Sequence, residues 1–369
     1  MKKHLISSFV LLCAVIFIYS CQKETNKPTE KLPLLPEQTY DYNPSDIPDH
    51  LRTFNFTNNE DATLGRVLFY DKQLSYNNQV ACASCHSQQK AFADDVAFSK
   101  GFSGELTTRN AMTIANMGLT NTFLWDCRSN RLEDMVLLPI QNHIEMGFEN
   151  LTLLEAKLNN ISYYKRLFTK IYNKNRVERS DIAQALASFV RSINTKNSKF
   201  DQGFQTNFSN FNADEMAGFN LFHSERLACG NCHVESKGGQ GDGYNGPAGN
   251  GFANNGLETV YKDKGVEQAR MTISNGEGFF KVPNLRNTEL TAPYMHDGRF
   301  KTMEEVVEHY NKGIQSNKDL DHNLIDKMTG KPKKMNLTDT EKRQLIAFLK
   351  TFTDKTLTSD VKFSDPFNY

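Results

Sequence analysis

The sequence is poor in tryptophan, with one indole in 369 residues, and it has no surplus of either charge, since 43 lysines and arginines face 43 aspartates and glutamates. A balanced chain lacks the basic footprint that phosphate backbones demand, which excludes nucleic acid as a partner. The apolar run from Leu11 to Ile18 is too short to span a bilayer. Disulfides are also excluded as a framework. Four of the seven cysteines belong to two identical motifs, Cys13 and Cys21 lie in or just after the apolar run, and Cys127 stands alone.

Lys2 and Lys3 followed by that short apolar run describe a secretory signal over residues 1–20. Its end, Phe17-Ile18-Tyr19-Ser20-Cys21, is similar to a bacterial lipobox and makes Cys21 the expected lipid acceptor. Tyr19 is bulky for that pattern, so ordinary cleavage and an uncleaved anchor stay open. Loss of Lys2 and Lys3 leaves a small acidic surplus. Residues 21–50, with Pro28, Pro33, Pro36, Pro44 and Pro48 among polar neighbours, read as an extended tether.

The two motifs are Cys82-Ala83-Ser84-Cys85-His86 and Cys229-Gly230-Asn231-Cys232-His233. Two thiols at this spacing reach the two vinyl groups of one porphyrin while the adjacent imidazole ligates its iron, so each motif reads as a c-type haem attachment site. Zinc ribbons and redox dithiols share the Cys-x-x-Cys core but do not require the histidine. Two haem c groups are therefore expected. Their thioethers are completed outside the cytoplasm, which agrees with the signal and places the chain on the periplasmic side of an envelope membrane, held there by its lipid.

Aligning the motifs exposes an internal duplication. Gly65-Arg66-Val67-Leu68-Phe69 matches Gly218-Phe219-Asn220-Leu221-Phe222, and the run Leu119 to Arg128 matches Leu290 to Arg299. Helical periodicity dominates: Ile182, Leu186, Phe189, Val190 and Ile193 form one stripe, and Leu345, Phe348, Leu349 and Phe352 another behind a Thr338/Glu341 capping pair. Asn212 with Glu215 caps a helix whose buried stripe should begin at Met216 and Phe219. The expected fold is mostly α: two cytochrome c-like haem domains related by duplication, with long loops, over residues 51–205 and 206–355, a junction near Asn194 to Asn212 and a tail at 356–369. A glycine- and asparagine-rich run between Gly238 and Gly256 reads as a surface loop; its Asp242 lacks the companion acids of a calcium site.

Leu64-Gly65-Arg66-Val67-Leu68-Phe69-Tyr70, both motifs, Trp125-Asp126, Glu145-Met146, and the run from Lys281-Val282-Pro283 to His296-Asp297-Gly298 together resemble the bacterial di-haem cytochrome c peroxidases and their MauG relatives. The resemblance covers roughly residues 55 to 355. It implies peroxide reduction at the N-terminal haem, with electrons taken up at the C-terminal one.

His86 would be the proximal ligand of the reactive iron. Where many relatives place a displaceable distal histidine this chain has Phe102, so the resemblance implies an open face that needs no reductive activation; His143, near in sequence, is the competing ligand. Glu145, twenty residues after Trp125, takes the position of the acid that moves a proton between the peroxide oxygens. Met135 replaces a usual glutamine. Trp125 would relay electrons between the haems. Cys127 stands where relatives have glycine and reads as a buried thiol.

At the second haem His233 is proximal. The slot that carries methionine in peroxidases and tyrosine in MauG relatives is Tyr310 here, and a Thr302/Glu305 capping pair puts Met303, Val306, Val307 and Tyr310 on one face. Met303 and His309 stay open as alternatives. In the first repeat the matching residue is Pro139, which cannot ligate. The family also holds one calcium ion between its haems, and the matching positions are Asn110, Thr291 and Pro293. His50, His223 and His322 read as surface or packing residues.

Three functions follow. The first is a hydrogen peroxide reductase fed by a small c-type cytochrome or cupredoxin, with a second copy of the chain as a candidate partner in a homodimer. The second is a MauG-like oxidase acting on side chains of a partner protein, and the third is a non-enzymatic electron carrier.

Overall fold

The computed structural model describes residues 32–43, 57–120, 122–204, 206–234, 248–249, 251–266 and 276–367. The chain divides into two compact units, Met1–Pro33 and Leu34–Tyr369, and every element below belongs to the second. The expected signal, Cys13, the expected lipid acceptor Cys21, His50, and most of the glycine-rich run with Asp242 lie outside the described residues.

In chain order the α-helices are α1 (Asn59–Tyr70), α2 (Leu132–Met135), α3 (Leu138–Gln141), α4 (Leu151–Asn159), α5 (Ser162–Tyr172), α6 (Arg179–Ser192), α7 (Lys199–Phe204), α8 (Ala213–His223), α9 (Met303–Glu308) and α10 (Asp339–Lys350). Strands among the described residues are two antiparallel pairs of two residues each: β1 (His233–Val234) with β2 (Ala248–Gly249), and β3 (Phe252–Ala253) with β4 (Phe280–Lys281). The fold is mostly α with long connections, as the periodicity predicts. None of the described helices is long and apolar enough to cross a membrane.

Two helix pairs organise the unit, α1 on α6 and α8 on α10. Each closes on a glycine. A Cβ on Gly65 would fall 2.0 Å from the Ala185 carbonyl oxygen and 2.7 Å from the Phe189 Cβ, and one on Gly218 would fall 2.0 Å from the Gln344 carbonyl oxygen and 2.7 Å from the Phe348 Cβ. Only a bare Cα lets the helices approach this closely. Around α1 and α6 lies one apolar core, with Leu64, Leu68, Phe69, Phe92, Ile182, Leu186 and Phe189. A separate one surrounds α8 and α10, with Phe200, Phe222, Met303, Val307, Leu345, Phe348 and Phe352.

Local signals explain the helix starts. Asn58 accepts from the Glu60 and Asp61 amides, and the reciprocal capping pairs Asn212/Glu215, Thr302/Glu305 and Thr338/Glu341 are all formed. On α8, however, the fully buried positions are Gly218 and Phe222, while Met216 and Phe219 are half-buried, because close approach on the glycine face sets which side turns inward. On α10 Ile346 is buried in addition to Leu345 and Phe348, and Leu349 is half-buried.

Residues 34–43 of the expected tether and the described part of the expected tail lie against the core. Tyr42 is 1 % exposed and its hydroxyl donates to the Lys362 carbonyl. Leu357 and Phe363 are buried in the first core, Tyr70 Oη donates to the Phe363 carbonyl at 2.6 Å, and Gln88 Nε2 donates to the Leu357 and Asp360 carbonyls at 2.9 Å. The stretch from Asn194 to Asn212 is not loose either. It carries α7, with Phe200 buried and Asp201 paired to the buried Arg286 guanidinium.

Candidate active site

A cavity of about 260 Å³ opens beside the second motif. Cys229, Cys232 and His233 line it, together with Val306 and Val307 of α9 and Tyr310 just beyond that helix. None of the five described cysteines is in a disulfide, so both thiols of each pair are available for thioethers. The His233 Nδ1 donates to the Pro283 carbonyl at 3.1 Å, which leaves Nε2 as the nitrogen for a metal. Burial lowers its pKa to about 4, so the ring is neutral, as ligation requires. Thiols, imidazole and an apolar cavity together fit a covalently held haem.

Of the three candidates for the other face, Tyr310 lines the cavity. His309 is turned away, its Nε2 bonded to the Asn255 carbonyl at 3.0 Å, and Met303 is buried in the second core. After α9 the chain widens into a π-helical turn over His309–Gly313, the kind of single-turn bulge that redirects a side chain. Burial pushes the Tyr310 phenol up to about 12, opposed by a hydrogen bond from Asn255. That amide reaches two groups at 3.5 Å, the Tyr310 oxygen and the Met295 sulfur.

The first motif repeats the proximal arrangement. His86 Nδ1 donates to the Phe92 carbonyl at 3.0 Å, and burial lowers the pKa of the ring. Burial and, secondarily, neighbouring charges that include Glu145 push Cys82 to about 12 and Cys85 to about 11, so the acid lies within electrostatic reach of this pair. Asn142 positions it: the amide donates to Glu145 Oε1 at 3.0 Å while its own oxygen accepts from the Ile144 and Glu145 amides. Burial raises the Glu145 pKa above the ordinary carboxylate range, and Arg128 opposes the rise. Phe102 packs on the same loop, its amide donating to the Glu145 carbonyl at 2.9 Å and its ring covering Gly147. His143, the competing ligand in the sequence reading, is exposed. Met135 is buried in the first core, and Pro139 sits at the start of α3.

Trp125 lies on the cavity wall, pinned by two backbone contacts. Its indole N–H donates to the Asn110 carbonyl at 2.9 Å, and its carbonyl accepts from the Lys281 amide at 2.7 Å. Asn110, Thr291 and Pro293, the three expected calcium positions, line the same cavity. Asn110 Nδ2 donates to the Val96 carbonyl at 3.0 Å.

Sequence reasoning missed the charged column beside the tryptophan. Arg109 forks onto Asp263 at 2.6 and 2.7 Å and reaches Asp126 at 2.6 Å, with its guanidinium 5.8 Å from the Phe280 ring centre. Phe280 in turn stacks on His296 at 3.7 Å and 12°. A long-range Arg–Asp pair leaves no local sequence signal. Lys281, 5 % exposed, also lines the cavity, and burial lowers its pKa. Cys127 is half-buried with φ +54°, and Gly298, the residue matched to it in the sequence alignment, has φ +64°, so both positions take the left-handed backbone that favours glycine.

A family model described as di-haem cytochrome c peroxidase matches residues 59–208. The chain is 31 % identical over 297 residues to the cytochrome c551 peroxidase of Nitrosomonas europaea, covering 79 % of each chain. To the methylamine utilization protein MauG of Methylophilus methylotrophus it is 28 % identical over 294 residues, 79 % of this chain and 82 % of that one. Among solved structures, a MauG-like protein associated with microbial copper homeostasis superposes with a TM-score of 0.70 at 31 % identity, over 90 % of this chain and 100 % of the other. The di-haem peroxidase BthA of Burkholderia thailandensis, at 18 % identity and TM-score 0.64, shares the fold. These similarities place the chain in an oxidoreductase class built on two c-type haems. It belongs to the di-haem cytochrome c peroxidase and MauG family.

Proposed function

We propose that the protein reduces hydrogen peroxide to water at the Cys82/Cys85/His86 site, with electrons delivered singly through the Cys229/Cys232/His233 site from a small cytochrome or cupredoxin. The observation that carries this reading is the inequality of the two sites. Tyr310 lines the cavity beside the second motif, whereas the first site pairs an uncoordinating Phe102 with the desolvated acid Glu145. Bound haem would supply an open iron at the first site and one-electron storage at the second.

The chain's own residues supply the rest. Cys82 and Cys85 would anchor the haem, and His86 would ligate it through Nε2, since Nδ1 is engaged by the Phe92 carbonyl. Glu145 takes the proton from the inner peroxide oxygen and returns it to the outer one, so that water departs. Each turnover consumes one peroxide, two electrons and two protons and yields two waters. Trp125 relays between the sites, and Tyr310 closes the second. Asn110, Thr291 and Pro293 would hold calcium through oxygen atoms, which would tighten the wall on which Trp125 sits.

The matched glycine contacts at Gly65 and Gly218 support duplication of one haem domain, with a boundary near residue 205. A periplasmic location with a lipid on Cys21 follows from the leader and the attachment chemistry. The MauG-like alternative, oxidation of a partner protein's side chains, rests on the same Tyr310 and Phe102 and on the similarity to MauG. Steady-state peroxide consumption by the holoprotein with a reduced small cytochrome or cupredoxin tests the peroxidase. Turnover that requires such a donor supports it, and peroxide stability in its presence contradicts it.

A further inference from the structure

Among the described residues Met328 is the most exposed large apolar side chain, at 94 %. It sits at the tip of a hairpin over 325–332, closed by the antiparallel bridge of Ile325 with Pro332 and by two 2.8 Å hydrogen bonds, Asp326 amide to Lys331 carbonyl and Gly330 amide to Asp326 carbonyl. The Asp326 carboxylate accepts from the Met328 and Thr329 amides and the Thr329 hydroxyl, which fixes the tip. Lys327, Lys331 and Lys334 are exposed around the methionine, and Lys333 donates to the Glu225 carbonyl at 3.3 Å. The acids on this segment are Asp321 and Asp326, against four lysines.

The residues flanking the hairpin, Leu324 and Met335, line the cavity beside the second motif together with Cys229, Cys232 and Tyr310. An apolar tip flanked in sequence by exposed lysines therefore stands a few residues from the site where electrons are to be received. Electron-transfer encounters use small interfaces of this make-up, in which the charged rim steers and the apolar centre allows close approach.

We infer that the 325–334 hairpin is the docking surface for an acidic electron-donor protein, with Met328 seated against an apolar patch on the donor and Lys327, Lys331 and Lys334 facing its carboxylates. This rests on the proposed peroxidase reading, because it assigns the donor's place and charge. Each encounter transfers one electron from the donor's metal centre to the second site. Two encounters supply the two electrons that, with two protons, convert one hydrogen peroxide into two waters.

The test is anaerobic stopped-flow mixing of holoprotein, oxidised beforehand by one equivalent of hydrogen peroxide, with reduced plastocyanin as the acidic probe or reduced horse cytochrome c as the basic one. Plastocyanin should reduce the second haem faster, with a rate constant that falls steeply as salt rises. The triple variant K327E/K331E/K334E should lose about 10- to 100-fold of that rate at low salt. Met328→Glu should slow it with the lysines intact, and K165E/R166E/K170E on the exposed face of α5 should leave it unchanged. A faster cytochrome c, or equal losses from the two triple variants, overturns the docking surface. Peroxide consumption with a neutral dye reductant, tetramethylphenylenediamine, judges the peroxidase reading separately, since it needs no docking.

Discussion

The amide nitrogen of Asn255 stands 3.5 Å from the phenol oxygen of Tyr310, inside a cavity that also holds Cys229, Cys232 and His233. A donor placed there draws electron density from the oxygen and weakens its donation to a ferric iron. Asn255→Leu should therefore lower the reduction potential of the second haem. A hydrogen bond to a charged acceptor is worth about 1.5–3 kcal/mol, so the fall should be on the order of 100 mV. Spectroelectrochemical titration of the variant measures it, and a potential that rises or stays put would show that the amide does not act on the ligand.

Glu145 must be ionised to accept a proton, and burial holds its pKa above the ordinary carboxylate range. Peroxide turnover should fall as pH drops through that raised pKa, at a higher pH than a solvated glutamate would give. Replacing Arg128, whose charge opposes the rise, by leucine should move this acidic limb to still higher pH. Glu145→Gln should cost roughly 10²- to 10⁴-fold in turnover while cyanide binding persists. A pH profile that Glu145→Gln leaves intact would remove the acid from the mechanism.

Gly65→Ala and Gly218→Ala should be destabilising to a similar degree, since each methyl meets a backbone carbonyl oxygen at 2.0 Å. Overpacking of this kind costs about 1–3 kcal/mol. Denaturant unfolding of the holoprotein reads both, and a neutral result at either position would mean that its helix pair has slack.

Removal of residues 356–369 takes Leu357 and Phe363 from the first core, about 1.5–3 kcal/mol each by area. It also strips Gln88, two residues past His86, of both its carbonyl partners. The truncated protein should melt earlier and retain less of the first haem than of the second, which pyridine haemochrome assays of the separated halves after proteolysis would show. Equal haem retention would count against the clasp.

Much of the candidate site was legible because its chemistry is written locally. Attachment motifs, capping pairs at Thr302 and Thr338, and the periodicity that carries Val306, Val307 and Tyr310 all act within a few residues. Contacts that join distant segments were not legible. Arg109 reaches Asp263 across the fold, Asn255 comes to Tyr310 from a loop with no periodicity, and the 34–43 segment looks like a linker until Tyr42 finds the core. Cys127 made sense only once its backbone proved left-handed like that of Gly298.

The central claim is that one iron is open and the other is closed by Tyr310. Electron paramagnetic resonance of the oxidised holoprotein, with and without cyanide, beside Tyr310→Met tests it most directly. Two ferric signals are expected: one converted by cyanide and untouched by the substitution, the other indifferent to cyanide and shifted by it. A spectrum unchanged by Tyr310→Met, or one in which cyanide alters both signals or neither, would contradict the account.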